Sequence, residues 1–307
     1  MSRIGIDIGG TSAKLALVSD DGEVLRRGRV ATDRDLPGEE LVRSLARAAW
    51  DLLPEEGVPA LGVAAPGCRR DDGEGVVNVT NLPHIDGFPL RRRLEENTGI
   101  ETVLDNDANA AAMGEYRYGA GQGAERVLVV TVGTGIGAGM VVRGNVHRVS
   151  WQGLGDPGHV IVAPDGPRCA CGARGCAEAV AAVPGLVRRA EALRGAPVRS
   201  VGEVAQEARS GADWALAALG EAGRHLGIAL VTMTHLLGPD RILLGGGGVD
   251  ATEELLLRPV ERTFREYIQP FFGERVTLGR AALGNDAGVI GAAALASHVT
   301  APPAEAS

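Results

Sequence analysis

Lysine is almost missing from this 307-residue chain: of 31 basic residues only Lys14 is lysine, and it stands beside a glycine-rich turn. Aromatic residues make up 3% of the sequence, so the cores must be built from Ala, Val, Leu and Ile. Positive charge is in deficit as well. A formal net charge of −8 excludes an extended nucleic-acid face, which needs clustered Lys and Arg to neutralise phosphates. No apolar run reaches membrane length, and the start, MSRIGIDIGG, has neither the apolar stretch nor the small-residue cleavage site of a signal peptide. A cytoplasmic protein is expected, with no nucleic-acid and no membrane partner. The Walker pattern G-x4-G-K-[ST] is missing too, which excludes a P-loop nucleotide site. Cysteine is scarce, four in all, but three of the four cluster at Cys169, Cys171 and Cys176.

Glycine, by contrast, numbers 45, and its placement is informative. Residues 3–18, RIGIDIGGTSAKLALV, read as strand, turn and strand, with Ile4, Ile6 and Ile8 alternating before Gly9 and Gly10. Residues 126–142, RVLVVTVGTGIGAGMVV, repeat that plan, which suggests two copies of one α/β unit. A third strand, RILL, runs into the glycines at 245–248. Apolar residues recur at helical spacing over 39–53 and 213–237, and 284–298 reads as a final helix before a short disordered tail. Such alternation predicts α/β architecture with a largely parallel sheet in each half. At this length two domains are expected: 1–114 joined by 289–307, and 115–288, with a hinge near the end of the segment 105–119.

Several turns carry candidate chemistry. Asp7 ends the first strand where the turn exposes backbone N–H groups. Gly9 and Gly10 permit close approach of a phosphate, Thr11 adds a hydroxyl, and Asp7 can hold a hydrated magnesium ion. An ordinary tight hairpin would read the same way. The second turn offers Gly133, Thr134 and Gly135 for further phosphate contacts, but a strand rather than a helix follows, so it is not a dinucleotide fingerprint. Gly245, Gly246 and Gly247 would let a flat ring such as adenine lie on bare backbone, or would simply open a helix. The run DNDAN, 105–109, sets carboxylates at a helix start, where Asp105 could cap and one Asp could accept a proton in phosphoryl transfer.

The cysteines sit at C-x-C-x4-C, too close for a comfortable disulfide between the first two and too few for even pairing. With His159 they make a Cys3His tetrahedral zinc shell, Gly172 and Gly175 letting the loop wrap back on the ion. Reduced cysteines that merely pack are the other reading. Such a shell leaves no open coordination position, so zinc there would be scaffold rather than Lewis acid. Cys68 has no neighbouring His or Lys to activate it and reads as a small packing residue beside a turn.

In order and spacing, D7-I-G-G-T11, A65-P66-G67, N81-L82-P83, D105-N-D-A-N-A-A-A112, G133-T-G-I-G137, G158-H159, C169-A-C-G-A-R-G-C-A-E178 and L244-G-G-G247 resemble the ROK family of sugar kinases and related repressors. The likeness runs from residue 3 to about 297. It implies a two-domain actin-like (ribonuclease H-like) α/β ATPase fold, shared with hexokinase and Hsp70, with an interdomain cleft and a small zinc-binding loop at 159–176. It also implies an ATP:hexose 6-phosphotransferase similar to glucokinase, with ATP, Mg2+ and structural Zn2+. By the same resemblance Asp107 is the general base, and Gly67, Asn81, Asn106, Asp156, His159 and Glu178 contact the sugar. The donor is implied to lie on Asp7, Gly9, Gly10, Thr11, Lys14, Gly133, Thr134, Gly135, Gly245, Gly246 and Gly247. His159 would serve zinc through one ring nitrogen and a sugar hydroxyl through the other. Repressor members carry a winged helix ahead of the first hairpin and this chain begins with the hairpin, which favours an enzyme. A homodimer or homotetramer is implied as well.

Two departures fall on the acceptor side. The family usually reads G-E-x-G-H where this chain has G155-D-P-G-H159, withdrawing the carboxylate of Asp156 by one methylene. It commonly reads R-G-x-x-G where this chain has R148-V-S-W-Q152, and neither Val149 nor Trp151 has glycine's backbone freedom. Trp151 could stack on a sugar or simply pack; His84 carries no role. Glucose is the first expectation. The alternatives are N-acetylmannosamine, another amino sugar or a cyclitol, and, in a different class, a non-catalytic sugar-sensing regulator.

Overall fold

The computed structural model describes residues 2–55, 57, 58, 60–79, 81–149 and 153–297. Trp151, Gln152 and the expected tail lie outside the described residues. In chain order the strands are β1 (Ser2–Ile8), β2 (Ser12–Ser19), β3 (Val24–Ala31), β4 (Leu61–Ala65), β5 (Cys68–Arg69), β6 (Val76–Val77), β7 (Thr102–Asn106), β8 (Arg126–Val132), β9 (Ile136–Val142), β10 (Asn145–Val146), β11 (Arg241–Gly245) and β12 (Thr277–Arg280). The helices are α1 (Gly38–Leu52), α2 (Leu90–Thr98), α3 (Asp107–Tyr118), α4 (Ala177–Ala181), α5 (Val183–Arg194), α6 (Val201–Arg209), α7 (Asp213–Leu237), α8 (Gly247–Thr252), α9 (Glu254–Tyr267), α10 (Pro270–Gly273) and α11 (Ala287–Ala296).

The alternation in β1 buries Ile4, Ile6 and Ile8 on one face, while every residue of β4 is buried, as befits an interior strand. Helix α1 turns Leu41, Val42, Leu45, Ala49 and Leu52 to the same core. The first sheet has the order β3-β2-β1-β4-β7, and the second β10-β9-β8-β11-β12. Both follow one plan, a hairpin on one side and parallel strands on the other, which is the duplication visible in the sequence. The expected largely parallel sheets are in fact mixed. Strands β1, β2 and β3 pair antiparallel because short turns join them, whereas β1–β4, β4–β7, β8–β11 and β11–β12 are parallel.

Helix α11 lies very close to the first sheet. A Cβ added at Gly5 would fall 2.0 Å from the Val289 carbonyl oxygen, and one at Gly62 would fall 1.8 Å from that of Ala292. Glycine on two adjacent strands is therefore what admits the C-terminal helix. By contacts the chain divides into two compact units, one of residues 1–123, 139–155 and 286–307, the other of 124–138 and 156–285. This division groups 115–123, 139–155 and 286–288 with the first unit, where the motif spacing places them in the second.

Candidate functional site

The site residues named from sequence fall into two groups, one in each unit. In the first unit, β7 hands over to α3 at Asn106, and it is Asn106 rather than Asp105 that caps the helix. Its Oδ1 accepts the Ala108 N–H at 2.8 Å and the Asn109 N–H at 3.4 Å, while Nδ2 donates to the Gly67 carbonyl at 2.7 Å. The Asn106 side chain also hydrogen-bonds the Asp107 carboxylate, which lowers that group's pKa against the effect of burial. Gly67 has φ of +91°, and a Cβ there would lie 2.6 Å from Val79 Cγ2, so glycine is required. Gly67 thus meets Asn106 through its carbonyl.

Asp105 is a buried strand residue with a different task. Its carboxylate accepts the Asn106 N–H at 2.7 Å, the Asn109 amide at 2.9 Å and a guanidinium N–H of Arg148. Sequence reasoning missed both partners. Asn109 carried a signal, since Asp and Asn four apart are neighbours on a helix; Arg148, 43 residues away, carried none. Val149 was expected to deny this segment glycine's freedom. The Val149 N–H donates to the Gly153 carbonyl at 2.8 Å, and Gly153, with φ of +104°, lies against the Asn109 side chain.

Asp107 opens α3 and is reachable by solvent, yet the density of protein around its carboxyl raises its pKa to about 6. The Ala108 N–H opposes the rise and the charge of Asp7 adds to it. Asp7 lies opposite Lys14 in the β1–β2 register, and its own pKa is raised by burial, with Lys14 opposing. The turn between them is pinned by a residue not anticipated: Thr32 donates its hydroxyl to the Gly9 carbonyl at 2.7 Å and its N–H to the Thr11 carbonyl at 3.2 Å. Gly10 and Thr11 stay exposed, with the Asn81 amide beside Gly10.

In the second unit the turn after β8 closes through the Gly133 N–H on the Gly135 carbonyl at 2.9 Å. Glu178 is not a solvated carboxylate: its Oε2 accepts the Ile136 N–H at 3.1 Å and would lie 2.5 Å from any Cβ at Gly135. A cavity of about 280 Å³ adjoins this turn, walled by Thr134, Arg168, Glu178 and Arg188 among others. The glycine run starts a helix: Gly246 has φ of +91° and α8 begins at Gly247. A Cβ at Gly246 or Gly248 would meet the Val132 carbonyl at 2.7 or 2.9 Å, whereas Gly247 faces open space. Gly247 therefore offers bare backbone, while Gly246 and Gly248 serve packing.

The ligand atoms of His159, Cys169, Cys171 and Cys176 all lie within 4.8 Å of one another. Cys169 Sγ is 3.6 Å from His159 Nδ1, and Cys171 and Cys176 Sγ are 3.6 Å apart, close to the edge of about 3.8 Å that zinc–sulfur bonds of about 2.3 Å span in a tetrahedron. No disulfide joins them. As free thiols they conflict: burial first, then Cys171 and Cys169, push Cys176 up to about 12, while the Ala173 N–H above all lowers Cys171. A cation is what would let all three ionise together, so the residues fit zinc. Nδ1 of His159 faces the sulfurs and Nε2 lies 3.4 Å from Asp156 Oδ2, away from them.

Residues 3–299 match the family model described as the ROK family. The chain belongs to the ROK family. It is 34% identical over 310 residues to a glucokinase of Halalkalibacterium halodurans, with 94% of this chain and 92% of that protein covered. A kanosamine kinase of Amycolatopsis mediterranei is 33% identical with 97% of each covered. Among solved structures, a ROK glucokinase from Streptomyces griseus in complex with glucose and AMPPNP superposes with a TM-score of 0.82 at 32% identity, covering 97% of this chain and all of that one. The fold of this ROK chain is accordingly the actin-like ATPase fold of the ROK sugar kinases.

Proposed function

We propose that this ROK protein is an ATP-dependent sugar kinase that transfers the γ-phosphate of ATP to the primary 6-hydroxyl of a hexose, with glucose as the first acceptor. The observation that carries this reading is Asp107, a solvent-reachable carboxylate at a helix start whose pKa of about 6 suits a base working near neutrality. Phosphoryl transfer has a loose transition state, so the protein's task is alignment and charge stabilisation while the carboxylate takes the hydroxyl proton late. Asn106, oriented by Gly67, and Asn81 would hold neighbouring hydroxyls. His159 Nε2, with Nδ1 engaged by zinc, would hold another, together with Asp156 and Glu178.

On the donor side, Asp7 would hold hydrated magnesium, and Lys14 and the N–H groups of Gly9, Gly10, Thr11, Gly133, Thr134 and Gly135 would meet phosphate oxygens. Adenine would rest on Gly245, Gly246 and Gly247, chiefly on the open face of Gly247. Magnesium supplies charge neutralisation between the phosphates when bound. The two units are read as the two domains of such a kinase, acting in the cytoplasm as a homodimer or homotetramer.

A second reading is favoured by Asp156, exposed beside His159 Nε2. A carboxylate there could pair with the ammonium of an amino sugar, and the kanosamine kinase relative makes that acceptor class the first rival to glucose. N-acetylmannosamine and cyclitols follow. A sugar sensor without turnover would have no use for a raised base at Asp107.

ADP release with Mg-ATP across glucose, mannose, fructose, kanosamine, N-acetylmannosamine, N-acetylglucosamine and several cyclitols tests the reading. Preference for glucose supports it, preference for an amino sugar moves the acceptor to the second reading, and silence throughout refutes both. The pH profile is a separate expectation. A base must be ionised, so kcat/KM should be full above pH 6 and fall as pH drops through about 6, with a one-proton slope. A profile level down into the ordinary carboxylate range would remove Asp107 from that role.

A further inference from the structure

Helix α11 carries a glycine that its backbone does not need. Gly288 is the second residue of the helix, at a regular helical position where alanine is intrinsically the better residue. What asks for glycine is Asp7. A Cβ at 288 would lie 2.7 Å from both Cγ and Oδ2 of Asp7 and 3.0 Å from Oδ1, closer than real Cβ atoms approach a neighbour. A Cβ at Gly291, one turn on, would lie 1.7 Å from the Ala110 carbonyl oxygen, so that glycine belongs to helix packing. Gly288 instead meets the side chain that the kinase reading gives to magnesium. The residue before the helix faces the same group of charges: Asp286 takes both terminal nitrogens of Arg27, at 2.9 and 2.8 Å, and also feels Lys14.

We infer that Gly288 is a positioning residue for Asp7: it reserves the space in which the carboxylate sits, so that the first turn of the C-terminal helix sets the cation-holding group of the donor site. The inference rests on the kinase reading for Asp7. With a Cβ present the carboxylate must swing away by several tenths of an ångström or more. Displacement on that scale is costly for a group that must hold a hydrated cation against phosphate.

The test is Gly288→Ala in the full-length chain. The expected result is a rise of about tenfold or more in the Mg2+ concentration giving half-maximal rate, with the sugar KM little changed. A merely structural role would not move the metal dependence alone. A melting cycle with Asp7→Ala keeps the inference decidable without activity. Gly288→Ala should lower the thermal midpoint when Asp7 is present, and leave or raise it when Asp7→Ala has removed the carboxylate. An unchanged Mg2+ dependence, or the same midpoint change in both backgrounds, would overturn the inference. If the wild-type chain transfers no phosphate to any acceptor, the kinase reading fails by itself, and the melting cycle still decides whether Gly288 acts through Asp7.

Discussion

Replacing Asp107 by Asn is expected to lower kcat by about 10²- to 10⁴-fold while sugar and ATP binding largely persist. The substitution keeps the size of the side chain and leaves the Asn106 cap of α3 in place, so only the proton acceptor is lost. Stability gives a control that separates this from misfolding. Because the folded pKa of about 6 exceeds the ordinary 3.8, Asp107 favours the fold when protonated, below pH 3.8, and that contribution is lost as pH rises through 6. Asn cannot ionise, so at neutral pH Asp107→Asn should melt no lower than the wild type. Inactivity with an intact or raised midpoint is the trade of stability for function expected at a catalytic carboxylate. Equal turnover in the two proteins would contradict the assignment of the base.

Loss of the zinc shell should have the next largest effect. Protein purified without chelator is expected to hold about one equivalent of zinc, and Cys176→Ser, at a fully buried position, should abolish it and lower the thermal midpoint. With Nδ1 of His159 released, kcat/KM for the sugar should fall by about 10- to 100-fold, while the KM for ATP changes less. The asymmetry matters because the proposed function gives His159 to the acceptor side. Less than about half an equivalent of tightly held zinc would count against the Cys3His site. A metal-free variant with an unchanged sugar KM would show that zinc does not orient His159.

Local features were legible from the sequence and long-range ones were not. The β1 hairpin follows from the two-residue period of Ile4, Ile6 and Ile8, and helix α7 occupies the very span, 213–237, that its periodicity marks. The Cys3His cluster could be read because its three cysteines are close in sequence and each offers one ligand atom. Sheet direction was less legible, since a hairpin edge and a parallel interior contribute strands of similar composition. The glycine run at 245–248 was ambiguous because bare backbone serves a ligand and a helix start alike; the Val132 carbonyl decides which glycines pack. Asp105 carried nothing local to say that Arg148 would reach it. Gly288 did carry a signal, a glycine in the first turn of an alanine-rich helix, but the side chain it meets, Asp7, lies at the other end of the chain.

The central claim is transfer of the terminal phosphoryl group of ATP to a hexose hydroxyl. The most direct measurement follows ATP labelled in its γ-phosphate, incubated with Mg2+, glucose and the zinc-loaded chain, and locates the label by phosphorus NMR. The account predicts label on the 6-oxygen of the sugar in step with ADP formed, and transfer slowed by about 10²- to 10⁴-fold with Asp107→Asn. Label appearing only as inorganic phosphate, with glucose and amino sugars alike left unmodified, would contradict it.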